Sequence, residues 1–129
     1  MPKPTHYLVV RSPYAEALCL GIKSAEFRSW AQNLAGKRVA IAVAKAPTPK
    51  GAIAEELDLW EADQHERDLM HKTNSQAPHG KIIGEVQFGE AGLCDFPYPG
   101  RLCALVESCK LWPREEWLES KGGLGLRPF

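Results

Sequence analysis

The sequence predicts one α/β domain of the α+β kind, a small mixed β-barrel of five or six strands with two or three helices, and three observations predict it. Apolar runs that are short or alternate with a two-residue period recur at 6–11, 38–45, 82–88 and 102–106, the pattern of strands that pack a core. Crossover helices do not separate these runs regularly, which argues against a doubly wound parallel sheet. At 129 residues the chain has ordinary single-domain size, enough to bury a core without disulfides or a structural metal. Residues 1–129 are therefore read as one domain.

Taken in order, Tyr7, Leu8, Val9 and Val10 form a first strand rich in β-formers. Ser12 followed by Pro13 predicts a helix start, with a capping hydroxyl and the preferred first residue. On that helix Tyr14, Ala17, Leu18 and Gly21 recur at helical spacing, and Gly21 is placed to end it in the left-handed conformation. At 38–45, Val39, Ile41 and Val43 alternate with Ala40, Ala42 and Ala44, so neither face is polar and the strand is predicted to be central. Its alanine face is expected to receive the first helix closely. Pro47 and Pro49 break the pattern, and 52–72 reads as one helix with Leu57, Trp60 and Leu69 on a buried stripe.

Residues 74–80 read as a loop. Ile82, Gly84, Val86 and Phe88 then alternate as a strand, and Gly84 inside it predicts a bulge or the close approach of another backbone. Residues 89–100 are read as a connection with Pro97 and Pro99, and 102–106 as a further strand. Trp112 and Pro113 mark a turn, a single helical turn is expected at 115–119, and Leu124 and Leu126 alternate beside glycines in a closing strand.

Sixteen basic and sixteen acidic side chains leave zero formal charge, so the chain lacks the global basic excess that drives non-specific nucleic-acid binding. Any such contact must come from a local patch. Cys19, Cys94, Cys103 and Cys109 contain no CxxC pair and read as free thiols. No apolar run approaches the roughly 20 residues of a membrane span, and no long apolar segment follows Met1, Pro2, Lys3 and Pro4. The expectation is a reducing, cytoplasmic home with no membrane. His65 and His71 are six apart and do not share a helix face, and no HxH or HxxxH pattern points to a metal. No metal and no cofactor is predicted. Gly122, Gly123 and Gly125 lack the lysine and following helix of a phosphate loop and read as a turn into the last strand.

Chemistry shows through most clearly between Gly21 and Trp30. In an extended chain Glu26, Arg28 and Trp30 share one face, with Ala25 and Phe27 on the other. Lys23 joins the polar group if the turn or a bulge re-aims it. The plain alternative is a surface strand carrying a paired Glu and Arg. Trp30 is the stacking candidate for a nucleobase, with a buried anchor at the strand end as its alternative.

Gly21, Lys23, Glu26 and Arg28 reproduce the pattern GxKxxExR, and on these residues the chain resembles the ASCH domain, a compact β-barrel family of the PUA-like group. The flanks agree with that resemblance. Residues 12–15 look like the family's opening helix, 36–45 like its next strand, 80–89 like its central GxxxGxV strand, and 121–129 like its closing Gly-Leu strand. The resemblance implies a cleft between the barrel, the first helix and the strand that begins near Lys23. It implies RNA, or a nucleotide, nucleoside or modified base, as partner. Lys23 and Arg28 would contact phosphate or base, Glu26 would position them or read an exocyclic amine, and Trp30 would stack.

A hydrolase is the alternative expectation, with Lys23 and Glu26 as catalytic residues. Some ASCH proteins are acetylcytidine amidohydrolases, in which a lysine and a threonine three positions later work with a distant carboxylate. Lys23 matches that lysine, but Glu26 stands in the threonine's place, and Ser24 points to the opposite face of an extended chain. A Lys23 acting as base is opposed by Glu26, whose carboxylate favours the charged ammonium. Other relatives are ribonucleases, for which Lys23, Ser12 and Tyr14 would be the contributing side chains. The plainer reading of Ser12 is a cap, and of Tyr14 a core residue. A protein-binding adaptor is the third reading.

Overall fold

The computed structural model describes residues 4–123 and 125–129, and the predicted α+β architecture is present in it. Strand β1 (His6–Val10) leads into helix α1 (Tyr14–Leu20), a short strand β2 (Ala25–Phe27) and a 3-10 turn at Ala31–Leu34. Strand β3 (Arg38–Val43), helices α2 (Lys50–Leu59) and α3 (Gln64–Ser75), and the long strands β4 (Lys81–Leu93) and β5 (Leu102–Leu111) come next. After a second 3-10 turn at Arg114–Glu116 come β6 (Leu118–Glu119) and β7 (Leu126–Pro128). The strands form one curled half-barrel sheet in the order β2-β5-β4-β3-β1-β7, with β6 beside β4. β1 and β3 run parallel, and the other neighbours run antiparallel.

β3 is central, as its two apolar faces require, but the faces are used the other way round from expectation. Val39, Ile41 and Val43 pack in the main core with Leu18 and Cys19 of α1, whereas Ala40 and Ala42 lie on the reverse face with Tyr7, Val9 and Ile82. The half-buried Trp112 packs there too, so the small side chains accommodate large rings and not the helix. α1 is buried from both sides. Leu18 meets the sheet, while Ala17 joins Ile53 and Leu57 of α2 and Met70 of α3.

Gly84 behaves as its place in a strand predicts. The register slips between Ile41, opposite Gly84, and Ala42, opposite Ile82, so Ile83 is the extra residue of a bulge. A side chain at Gly84 would sit 2.3 Å from the Lys110 carbonyl oxygen and 2.8 Å from Cys19 Sγ.

Several expected boundaries move. The helix expected over 52–72 is two helices, because Asp63 accepts a hydrogen bond from the Glu66 amide at 2.8 Å and Glu66 answers to the Asp63 amide. That reciprocal cap starts a new helix instead of continuing the old one. The break resets the helical phase, so Met70 is buried and Leu69 only half-buried. The connection expected at 89–100 shrinks, since β4 runs on to Leu93 and pairs with β5 through Ala91, Gly92 and Leu93. The helical turn expected at 115–119 is the 3-10 turn followed by β6. Leu124, assigned to the closing strand, lies outside the described residues. All four cysteines are free; Cys19 and Cys103 are buried, Cys94 and Cys109 half-buried. Among the described residues no helix is long and apolar enough to cross a membrane.

The sheet is open between β2 and β7, and residues after β2 cover the gap. The Arg28 guanidinium donates from Nη2 to the Val9 carbonyl at 3.0 Å. Trp30 stands against Gly125, just ahead of β7. Side chains, and not a ladder, span the seam.

Candidate functional site

The site begins at the end of α1. Gly21 takes φ 78° and donates its amide to the helix, and the amides of Ile22 and Lys23 both reach the Ala17 carbonyl, at 2.9 and 3.1 Å. This left-handed turn is the device that re-aims Lys23. Its Nζ donates to Glu26 Oε1 at 2.6 Å and lies over the Tyr14 and Phe27 rings, 5.6 and 6.0 Å from their centres. Arg28 approaches the other carboxylate oxygen, donating to Oε2 from Nε at 3.2 Å and from Nη2 at 3.0 Å.

Glu26 is thus the hub of the group, 3% exposed between two cations. Burial alone would raise its pKa, but the charges of Lys23 and Arg28 and their hydrogen bonds outweigh it and hold the carboxyl below its ordinary value. With both oxygens engaged, Glu26 organises the cations more than it faces a ligand. Among the described residues Arg28 Nη1 makes no protein hydrogen bond.

Lys23 and Glu26 open onto a cavity of about 160 Å³ walled by the rings of Tyr14, Phe27, Trp60 and Tyr98. That is small beside the roughly 300–1,000 Å³ of typical ligand pockets, and suits one ring better than a whole nucleotide. The Tyr14 hydroxyl and the Trp60 indole N–H are both shielded from solvent and have no hydrogen-bond partner among the described residues, on rings that meet edge to face at 5.6 Å. Burial, and then the Glu56 carboxylate, push the Tyr14 phenol up to about 12. Because its hydroxyl has no bond to lose, Tyr14→Phe should change folding stability by no more than about 1 kcal/mol. Urea unfolding would measure this, and a larger loss would mean that the hydroxyl has a partner.

Adjoining this pocket is a cleft of about 660 Å³. Arg11, Arg28, Lys45 and Arg101 line it together with Gly122, Gly123 and Gly125, and among the described residues no Asp or Glu does. In a chain of zero formal charge this is the local basic patch that nucleic-acid contact would require.

The remaining expected site residues divide. Tyr14 is at the pocket. Ser12 is fully buried and donates to Glu16 Oε2 at 2.7 Å, so its hydroxyl neither caps α1 nor lines these cavities; Pro13 holds the cap position. Trp30 is not on a strand face with Glu26, because β2 stops at Phe27 and Trp30 begins the 3-10 turn. It meets the motif by another route, with the Arg28 guanidinium 5.5 Å from its ring centre, and it faces a different cavity. It is partly buried against the core and also lines a groove.

Sequence reasoning passed over Arg11, Lys45, Tyr98 and Arg101. Tyr98 and Arg101 carried a usable signal, an aromatic and a base flanking Pro99 and Gly100 in a loop. The folded loop sets Arg101 over the Tyr98 ring at 5.2 Å and Tyr98 against Phe27 at 4.9 Å.

Compared with models of known families the chain matches none. No curated protein matches it either. Among the described residues no group of three or more His, Cys, Asp or Glu side chains is placed to hold a metal ion.

Proposed function

We propose that this chain is an ASCH-like, PUA-like domain that binds RNA or a nucleotide, with a nucleobase against Lys23 and the aromatic pocket and phosphate in the adjoining basic cleft. The observation that carries the reading is the cleft's charge. Arg11, Lys45, Arg101 and the outer side of Arg28 converge there with no carboxylate among the described residues, although acids and bases are equal in number over the whole chain. Cations gathered in a concave site attract a polyanion and release its counterions. Arg28 and Arg101 also offer planar forks that match phosphate oxygens. The Lys23 ammonium supplies a polar contact beside the rings of Tyr14, Phe27, Trp60 and Tyr98, on which a base can rest.

Direct titration with a single-stranded hexaribonucleotide and with nucleoside monophosphates at low salt tests this. Lys23→Ala should weaken both kinds of ligand. The double variant Lys45→Glu/Arg101→Glu should weaken the hexamer strongly. It should also flatten the dependence of log K on log salt by about 0.7 for each phosphate that is no longer neutralised. If the wild type binds neither ligand, or if Lys23→Ala leaves both unchanged, the reading fails. Turnover of acetylated cytidine or of RNA by the wild type would replace binding with hydrolysis in the same cleft. Lys23 is already engaged by Glu26 at 2.6 Å, which favours recognition.

A further inference from the structure

The aromatic pocket and the basic cleft are not the end of the concave surface. Phe27 and Arg101 belong to the walls of both. At its other end the basic cleft shares Arg28 and Gly125 with a third cavity, of about 590 Å³, completed by Trp30, Asn33 and Leu126. The order along the surface is therefore ring pocket, cationic cleft, ring cavity.

A mononucleotide has one base and one phosphate group and fills only the first two compartments. The third has what a further base uses. Trp30 supplies an aromatic surface beside the Arg28 guanidinium, and stacking of bases on aromatic and guanidinium planes is how unpaired strands are held. Asn33 is exposed, and its carboxamide carries both donors and an acceptor for a base edge. Among the described residues that carboxamide makes no protein hydrogen bond, Asn33 being tied only through its backbone amide to Trp30. No Asp or Glu among the described residues lines this cavity.

Resting on the function proposed above, we infer that the ligand is a single-stranded polynucleotide of at least two successive bases. One base sits at Lys23, the intervening phosphate in the Arg11 and Lys45 cleft, and the next base on Trp30 with Asn33 at its edge. Arg28, touching both the cleft and the far cavity, is the joint between the two steps.

The test titrates the full chain with the four nucleoside 5′-monophosphates, a mixed-sequence hexaribonucleotide and the matching hexadeoxyribonucleotide. The hexamers should bind at least about tenfold more tightly than any monophosphate, the range that one added base stack supports. Asn33→Glu, which puts a carboxylate in the far cavity without touching the core, should lower hexamer affinity about tenfold and leave monophosphate affinity unchanged. Trp30→Ala should also lower hexamer affinity, with a thermal melt checking its fold; because Trp30 packs on Arg28 of the phosphate cleft, the comparison with monophosphates rests on Asn33→Glu. Monophosphate binding with no gain for a hexamer, or hexamer binding indifferent to Asn33→Glu, overturns the inference and leaves the proposed function standing. Loss of all binding in the wild type overturns both. Binding of the ribose hexamer alone, or of both hexamers, satisfies the inference and tells whether the sugar is read.

Discussion

Glu26→Ala should destabilise the folded protein by about 3 kcal/mol near neutral pH, the lower end of the range for removing one partner of a buried ion pair. The carboxylate is 3% exposed, and the side chains of Lys23 and Arg28 only 12% and 26%. Its removal leaves two partly desolvated cations facing each other with no anion between them. Glu26→Gln keeps the shape and one acceptor, and should lose less. The pH dependence has a definite sign. The folded-state pKa of Glu26 is depressed, since Lys23 and Arg28 overcome the effect of burial. Its stabilisation is therefore full above the unfolded-state value of about 4.3 and is lost as pH falls through the folded value. Urea denaturation of wild type and Glu26→Gln across that range should show two curves converging in acid. A gap that stays constant with pH would mean the carboxylate is not the group at work. Arg28 would also lose the partner that orients it toward Val9, so the proposed RNA binding and the seam should weaken together.

Gly84→Val should be nearly as damaging, for a steric reason. The new Cβ would lie 2.3 Å from the Lys110 carbonyl oxygen and 2.8 Å from Cys19 Sγ. The carbonyl belongs to β5, which is paired residue by residue with β4 around this point, and Cys19 is the α1 residue that faces the main core there. Neither can yield without moving a strand or the helix that carries the Gly21 turn. Overpacking of this kind costs about 3 kcal/mol at its upper end, with Gly84→Ala smaller and in the same direction. A Gly84→Val protein whose thermal midpoint and urea stability match the wild type within about 0.5 kcal/mol would contradict the packing described.

Much of this architecture could be read before folding because it rests on local rules. The alternation at 38–45, the Gly21 stop after α1 and the glycine inside β4 each obey a constraint carried by neighbouring residues. The misreadings share a different origin. Ser12 looks like a cap until Glu16, one turn later, takes its hydroxyl. The alanine face of β3 looks like a helix seat until Tyr7 and Trp112 arrive from elsewhere in the chain. Asp63 and Glu66 did carry a local signal, a capping box, hidden within a stretch of uniformly good helix formers. At the site the Lys23, Glu26 and Arg28 cluster was legible from spacing once a turn was allowed for. Arg11, Lys45 and Arg101 were not, because they come from three separate segments and line one cleft only when β1, β3 and the β4–β5 connection curl toward one another.

The Arg28 contact with the Val9 carbonyl has a consequence for how occupancy and shape relate. One guanidinium fastens the rim of the half-barrel and also faces the cleft. A molecule that adds a bond at the open Nη1 tightens the clasp, and one that competes for Nη2 pries it apart. Occupancy of the cleft and closure of the seam are then coupled through Arg28, in a sense set by which of its nitrogens a ligand engages.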